Sequence, residues 1–247
     1  MHGSAGPQET AALRLMLFDR WRLVAGRQVV YVPARSQRLV ALLALRGRQT
    51  RWSLAGTLWP DVDEQRALVS LRAAVSVLHR RVMGLVEKDH GEVQLADGVC
   101  VDVDEFRTHA RQVLSRHHSD LSVTINQPTV VGGELLPGWY DDWVLVERER
   151  IQQTRLHVLE ALASSLVERG AYADALQVAL TAVEIDPLRE SARRSVIRVH
   201  LAEGNTADAV REYERFRALL RRELDIAPTH HMTGLMRQLT EHASWEQ

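Results

Sequence analysis

SLRAAVSVLHRR, residues 70–81, reads as a helix with two faces. At about 100° per residue, Leu68, Leu71, Val75, Leu78 and Val82 fall on one stripe, the pattern of a helix buried along one side. The opposite face collects Arg66, Val69, Ser70, Ala73, Ser76, Val77, Arg80 and Arg81, with Arg72 and His79 toward one flank. Small residues permit close approach, arginines pair with phosphate or guanine, and exposed methyl groups suit thymine methyls. A surface that reads a DNA groove needs all three. A solvated basic amphipathic helix shows the same pattern, and on these residues alone it is the commoner case.

The flanking sequence gives this helix a setting. LRLMLF (13–18), WRLVAG (21–26) and QVVYV (28–32) are short alternating or apolar runs, with a turn at Gly26-Arg27, and predict a small antiparallel sheet. RSQRLVALLALRG (35–47) switches to helical spacing and stops at Gly47. RWSLAGTLWP (51–60) predicts a short helix that starts after Thr50 or Ser53 and ends at Pro60. DVDEQRA (61–67) supplies carboxylates for the N-terminus of the third helix, which runs to about Met83 with Gly84 to close it. VEKDHGEVQL (86–95) predicts a hairpin with His90-Gly91 at its tip. Sheet, three helices, hairpin is the order of a winged helix with an N-terminal sheet.

Composition bounds the chain to a globular class. Of 247 residues, 45% are hydrophobic and 26% charged. The first dozen, MHGSAGPQETAA, read as a loose tail over 1–12. The apolar run at Leu39–Leu45 is too short to cross a bilayer, so no membrane partner is expected. Cys100 is the sole cysteine, which excludes an intrachain disulfide and suits a reducing, cytoplasmic setting. The net charge of -1 conceals an asymmetry. Residues 1–93 hold 14 Lys and Arg against 8 Asp and Glu; residues 94–247 hold 17 against 24. A basic front and an acidic back imply two domains with different partners, the front suited to a polyanion.

The back half is helical and repetitive. VCVDVDEFRTHARQVL (99–114) passes from a short strand into a helix, and RHHSDLSVTINQPTVV (116–131) reads as a loop. ERGAYADAL (168–176) aligns with AEGNTADAV (202–210) so that Gly170 and Gly204, Asp174 and Asp208, and Ala175 and Ala209 each lie 34 residues apart. That is the tetratricopeptide period. Helices at about 148–169 and 230–241 are expected to cap the stack. Trp139, Tyr140 and Trp143 read as core or a wedge between repeats, Asp141-Asp142 as a cap or surface pair, and ERER (147–150) as a solvated face with local ion pairs.

The front half, LRLMLFDRWRLVAGRQV…SQRLVALLAL…LAGTLWPD…LVSLRAAVSVLHRRV, resembles the OmpR-type winged helix of SARP-type transcriptional activators. GELLPGWYDDWVLVERERIQQTRL (133–156), DPLRES (186–191), VHLAEGN (199–205) and YERFRALLRREL (213–224) resemble the bacterial transcriptional activation domain of the same family. The resemblance implies a mainly α fold with an α+β front: a winged helix-turn-helix over 13–95, then an all-α, tetratricopeptide-like domain over 99–241. It implies that the third helix lies in the major groove and the wing touches the adjacent backbone. It further implies partners: double-stranded promoter DNA carrying direct repeats, RNA polymerase or its sigma factor, and a second copy in a homodimer, with a biosynthetic gene cluster as target and the nucleoid as location. Departures stand out. SVLH replaces the family's SRLR, Ser36 replaces a lysine, and the wing reads HGEV with Glu92 in place of PGGY. They leave open an adaptor whose winged helix has lost DNA.

On this reading Arg66, Ser70, Arg72, Ala73, Ser76, Arg80 and Arg81 form the groove face, Arg35, Arg48, Arg51 and Trp52 meet phosphates, and His90 and Gly91 mark the wing tip. The loop at 61–65 is a second candidate polymerase contact. GxxxxGK[ST], HExxH, CxxC and GxSxG do not occur, so neither catalysis nor a cofactor is expected. His117-His118 has no further ligand cluster at metal-binding spacing, so no metal is expected.

Overall fold

The computed structural model describes residues 12–115 and 133–243, with side chains to 237. Residues 1–11 and 116–132 lie outside it, and with them most of the expected tail and the loop carrying His117-His118. The described residues form two compact units. One comprises the chain to Thr108 together with 133–149; the other holds 109–115 and the chain from Arg150.

The first unit opens with a sheet of order β3-β2-β1-β7. Strands β1 (Leu13–Met16), β2 (Arg22–Ala25) and β3 (Gln28–Val29) are antiparallel neighbours. The sequence pattern predicts a small antiparallel sheet, with VCV opening the back domain. Instead β7 (Val99–Val101) returns to lie parallel to β1, with Leu15 opposite Val101. The sheet is therefore mixed, and it carries a long crossover between β1 and β7. Pleating turns Leu15, Leu23 and Val101 to the buried side, which holds the register.

Three helices and a second sheet fill that crossover. Helix α1 (Ala34–Arg46) is buried at every position from Leu39 to Leu45, as befits the central helix of its unit, and Gly47 ends it at φ 71°. Helix α2 (Arg51–Leu58) is capped by the Thr50 hydroxyl, which accepts from Ser53 N at 3.2 Å. Helix α3 (Glu64–Arg81) is capped by Asp63, whose carboxylate accepts from Arg66 N at 3.0 Å. It ends two residues before the expected Met83. Strands β4 (Gln49–Thr50), β5 (Val86–Asp89) and β6 (Glu92–Leu95) form the wing sheet in the order β4-β6-β5. Strand β4 is too short to leave a periodic signal and was not anticipated from the sequence.

Helix α4 (Asp102–Ser115) starts in this unit. The Asp102 carboxylate accepts from Leu17 N at 2.8 Å and Phe18 N at 3.0 Å beyond the end of β1, and from Val103 N at 2.8 Å. Burial nevertheless pushes its pKa above the usual carboxylate range, against the pull of those amides. Residues 133–149 also belong here. Leu136 N donates to Leu17 O and Asp19 N to Glu134 O, both at 2.9 Å, so the LLPGW loop zips along the chain after β1. Arg148 holds that loop from beneath, donating to the carbonyls of Leu135 (3.0 Å), Leu136 (2.9 Å) and Trp139 (3.1 Å). Asp141 pairs with Arg38, and Glu147 pairs with Arg46 at 2.9 Å while only 2% of Glu147 is exposed. ERER is thus not a solvated face: its first two residues are buried or half-buried fasteners.

The second unit is built from helix pairs. Helix α5 (Asp142–Glu168) begins in the first unit and continues into the second; α6 (Tyr172–Ile185), α7 (Glu190–Ala202), α8 (Thr206–Leu224) and α9 (His230–Ala243) follow. The 34-residue repeat is visible atom for atom at its turns. Gly170 and Gly204 both have positive φ, 72° and 86°. After each, the next amide reaches five residues back: Ala171 N to Leu166 O at 3.0 Å, and Asn205 N to His200 O at 2.8 Å. Ala175 and Ala209 are both fully buried where the helices of a pair meet. DPLRES supplies the joint between helices. Arg189 donates to Glu160 (2.7 Å) and Gln153 (2.8 Å) of α5, and the Ser191 hydroxyl donates to Glu160 at 2.6 Å.

Candidate nucleic-acid interface

Helix α3 buries Ala67, Leu71, Ala74, Val75 and Leu78. Leu68, expected in that stripe, is half-buried, so the buried stripe lies slightly to one side of the one drawn from the leucines. The opposite side is open. Arg66, Arg72, Ala73, Ser76, His79, Arg80 and Arg81 are exposed, Ser70 and Val77 are half-buried, and Val69 presents an isopropyl group at 60% exposure. Arg66 pairs with Asp63 at 3.2 Å, an exposed contact that competes weakly with any other anion. Arg72 and Arg80 have no carboxylate partner among the described residues. Arg81 lies over the Tyr31 ring at 5.6 Å. This fixes its direction and leaves its charge available.

The wing stands beside this helix. His90 (φ 43°) and Gly91 (φ 89°) are the two positive-φ residues of a tight turn, the type that matches the twist of a two-stranded ribbon. Gly91 O accepts from Arg51 N at 3.2 Å, and Thr50 pairs with Glu92, so the start of α2 is stitched to the wing tip. Arg51 is half-buried there and Trp52 is 59% exposed. Arg48 is less free than the sequence implied. It donates to Gln94 at 2.7 Å and sits 3.4 Å from Glu92 and 3.8 Å from Asp89. Arg35 is exposed at the start of α1, one residue before Ser36, whose hydroxyl donates to Ala74 O of α3 at 3.3 Å.

The structure therefore gathers Arg51, Trp52 and Arg72 around one recess, sets Arg66 and Arg80 along the exposed side of α3, and ties Arg48 to the acidic side of the wing. Lys88 lines the same recess and was passed over in the sequence, although its place opposite Val93 follows from the hairpin's alternation. Among the described residues no group of His, Cys, Asp or Glu is placed to hold a metal ion, and no helix is long and apolar enough to cross a membrane.

Comparison with known proteins gives this arrangement a family. Residues 101–240 match the bacterial transcriptional activator domain. The chain belongs to that family. Over 94% of its length it is 26% identical to the regulatory protein AfsR of Streptomyces griseus, and over 96% it is 25% identical to AfsR of Streptomyces coelicolor. It spans about a quarter of the length of these curated relatives, 25% of each. Among solved structures, Mycobacterium tuberculosis EmbR in complex with a low-affinity phosphopeptide superimposes with a TM-score of 0.77 at 15% identity, covering 94% of this chain and 66% of that one. That likeness is one of fold: a small N-terminal sheet and winged helix followed by helical repeats. The resemblance to SARP-type activators is borne out.

Proposed function

We propose that the first unit binds double-stranded promoter DNA, with α3 in the major groove and the His90-Gly91 wing tip against the neighbouring backbone. The observation that carries this reading is the exposed side of α3. It offers small residues at Ser70, Ala73 and Ser76 for close approach, Val69 for a methyl contact, and Arg72 and Arg80 with no carboxylate to hold them. Arg66 and Arg81 extend the positive stripe, while Arg35, Arg51 and Trp52 meet phosphates. Direct repeats in the promoter would seat two copies side by side as a homodimer. The helical unit and residues 61–65, the turn before α3 and its first two positions, engage RNA polymerase or its sigma factor, and the target is a biosynthetic gene cluster transcribed at the nucleoid. Reversing charge at Arg66 and Arg80 together tests the DNA step: the double variant loses promoter-fragment binding and promoter activity, and retention of both refutes the assignment.

One observation favours a second reading, an interaction adaptor without DNA. Glu92 and Asp89 place two carboxylates at the wing, and they hold Arg48. Retention on DNA resin separates the two readings. A DNA binder elutes at a salt concentration that falls when Arg80 is neutralised, whereas an adaptor passes through unretained at low salt.

A further inference from the structure

Between α2, α3 and the wing lies a cavity of about 250 Å³, lined by Arg51, Trp52, Leu68, Leu71, Arg72, Val75, Lys88 and Val93. Its floor is apolar, since Leu71, Val75 and Val93 are buried side chains of the unit's core. Its rim carries Arg51, Arg72 and Lys88, none with a carboxylate partner among the described residues, and no carboxylate lines it. Pairing in the wing accounts for that one-sidedness. Lys88 lies opposite Val93, while Glu87 lies opposite Gln94 and Asp89 opposite Glu92. Successive strand residues face opposite ways. All three wing carboxylates therefore fall on the face that holds Arg48 and Gln94, and Lys88 and Val93 fall on the cavity side.

Three uncompensated cations around a greasy, concave floor select one ligand chemistry. A cation beside apolar surface recognises an anion attached to an apolar body, because the floor desolvates the body while the rim meets the charge. The volume lies just below that of drug-sized pockets, which limits the body to a bicyclic ring or a short acyl chain. We infer that this cavity binds a small amphipathic anion, an aromatic or short-chain acid, and that its occupation competes with DNA. The competition rests on the proposed DNA reading, because Arg51, Trp52 and Arg72 serve both. An anionic head seated among them removes a groove-face cation, Arg72, and two phosphate contacts, Arg51 and Trp52, from the DNA surface. The winged helix itself thereby reports on a metabolite acid.

Naphthalene-2-sulfonate and its uncharged counterpart 2-naphthalenemethanol, titrated into the full chain by calorimetry, test the cavity without DNA. The sulfonate should bind saturably at one site, and the alcohol at least tenfold more weakly. Arg72→Gln and Lys88→Gln should each weaken the sulfonate at least fivefold with an unchanged melting temperature, whereas Arg222→Gln, on the far helix α8, should not. Equal binding of acid and alcohol, indifference to both rim substitutions, or no saturable binding would overturn the site. A second titration, of promoter DNA with and without saturating sulfonate, tests the competition. A weaker DNA affinity supports it; an unchanged one overturns it. Absence of DNA binding even without sulfonate defeats the DNA reading and the competition with it, while the first titration still judges the cavity.

Discussion

Arg148→Met should release the LLPGW loop from the first unit. The Arg148 side chain is 19% exposed and donates to three backbone carbonyls at 2.9–3.1 Å, with Glu134 at 3.0 Å beside it. Hydrogen bonds from a charged donor are each worth about 1.5–3 kcal/mol net, and a buried acceptor left alone carries an uncompensated desolvation penalty besides. The three bonds share one guanidinium, and its partial exposure lets water reach some of the carbonyls. The loss therefore falls below the simple sum, at about 3 kcal/mol. That corresponds to roughly a hundredfold more frequent opening of the loop, since each 1.4 kcal/mol is tenfold. Methionine keeps much of the stem, so the loss reports the donors and not the packing. Arg148→Lys keeps the charge but not the planar fork, and should lose about half as much. Urea titration followed by tryptophan emission, together with hydrogen exchange at the Leu136 amide, reads the change. A loss under about 1 kcal/mol for the methionine variant, or a lysine variant indistinguishable from the native chain, refutes the argument that the fork holds this loop.

Three other perturbations probe separate parts of the structure. Glu92→Gln removes a wing carboxylate and frees Arg48; DNA affinity should rise about two- to fivefold, the scale of an exposed ion pair, and the salt slope should steepen by about 0.9, with no change in either counting against the release of Arg48. Asp102→Asn leaves at least one of the Leu17, Phe18 and Val103 amides without its acceptor and should cost about 1–3 kcal/mol at neutral pH. Because burial raises the folded-state pKa of Asp102, the native chain binds a proton more readily folded than unfolded. Its stability gains as pH falls from the raised value to the ordinary carboxylate value, and the gain fades as pH rises through the raised one. The gap to the asparagine variant should thus widen on acidification, and a gap that narrows reverses the sign. Gly204→Ala forces a side chain onto φ 86° and should destabilise the helical unit by about 1–2 kcal/mol, visible as a lower melting temperature; equal stability would mean the turn relaxes.

What could be read ahead of the structure was whatever is local in the chain. The amphipathic stripe of α3, the His90-Gly91 turn and the 34-residue repeat each announce themselves within a few dozen residues, and the structure realises them with Asp63 as cap, a positive-φ pair, and matched five-back hydrogen bonds. What stayed hidden was long-range pairing. Nothing in VCV says that its partner is β1, reached through the three helices and the wing. Glu147 and Asp141 look solvated until Arg46 and Arg38, more than a hundred residues earlier, close on them. Arg48 looks like a phosphate contact until the hairpin register brings Glu92 to it. The candidate interface was likewise legible on α3, whose face depends only on helical period. It was less legible on the wing, where pairing determines which charges meet.

The proposed function stands or falls with the grip of α3's exposed side on DNA. Genomic fragments selected on the full chain and sequenced, with the best fragment titrated at several salt concentrations, test it most directly. The expected result is a shared repeat motif and a steep negative slope of log K against log salt, shallower by about 0.9 for each of Arg72 and Arg80 replaced by glutamine. No enriched motif, or a slope indifferent to both arginines, would contradict it.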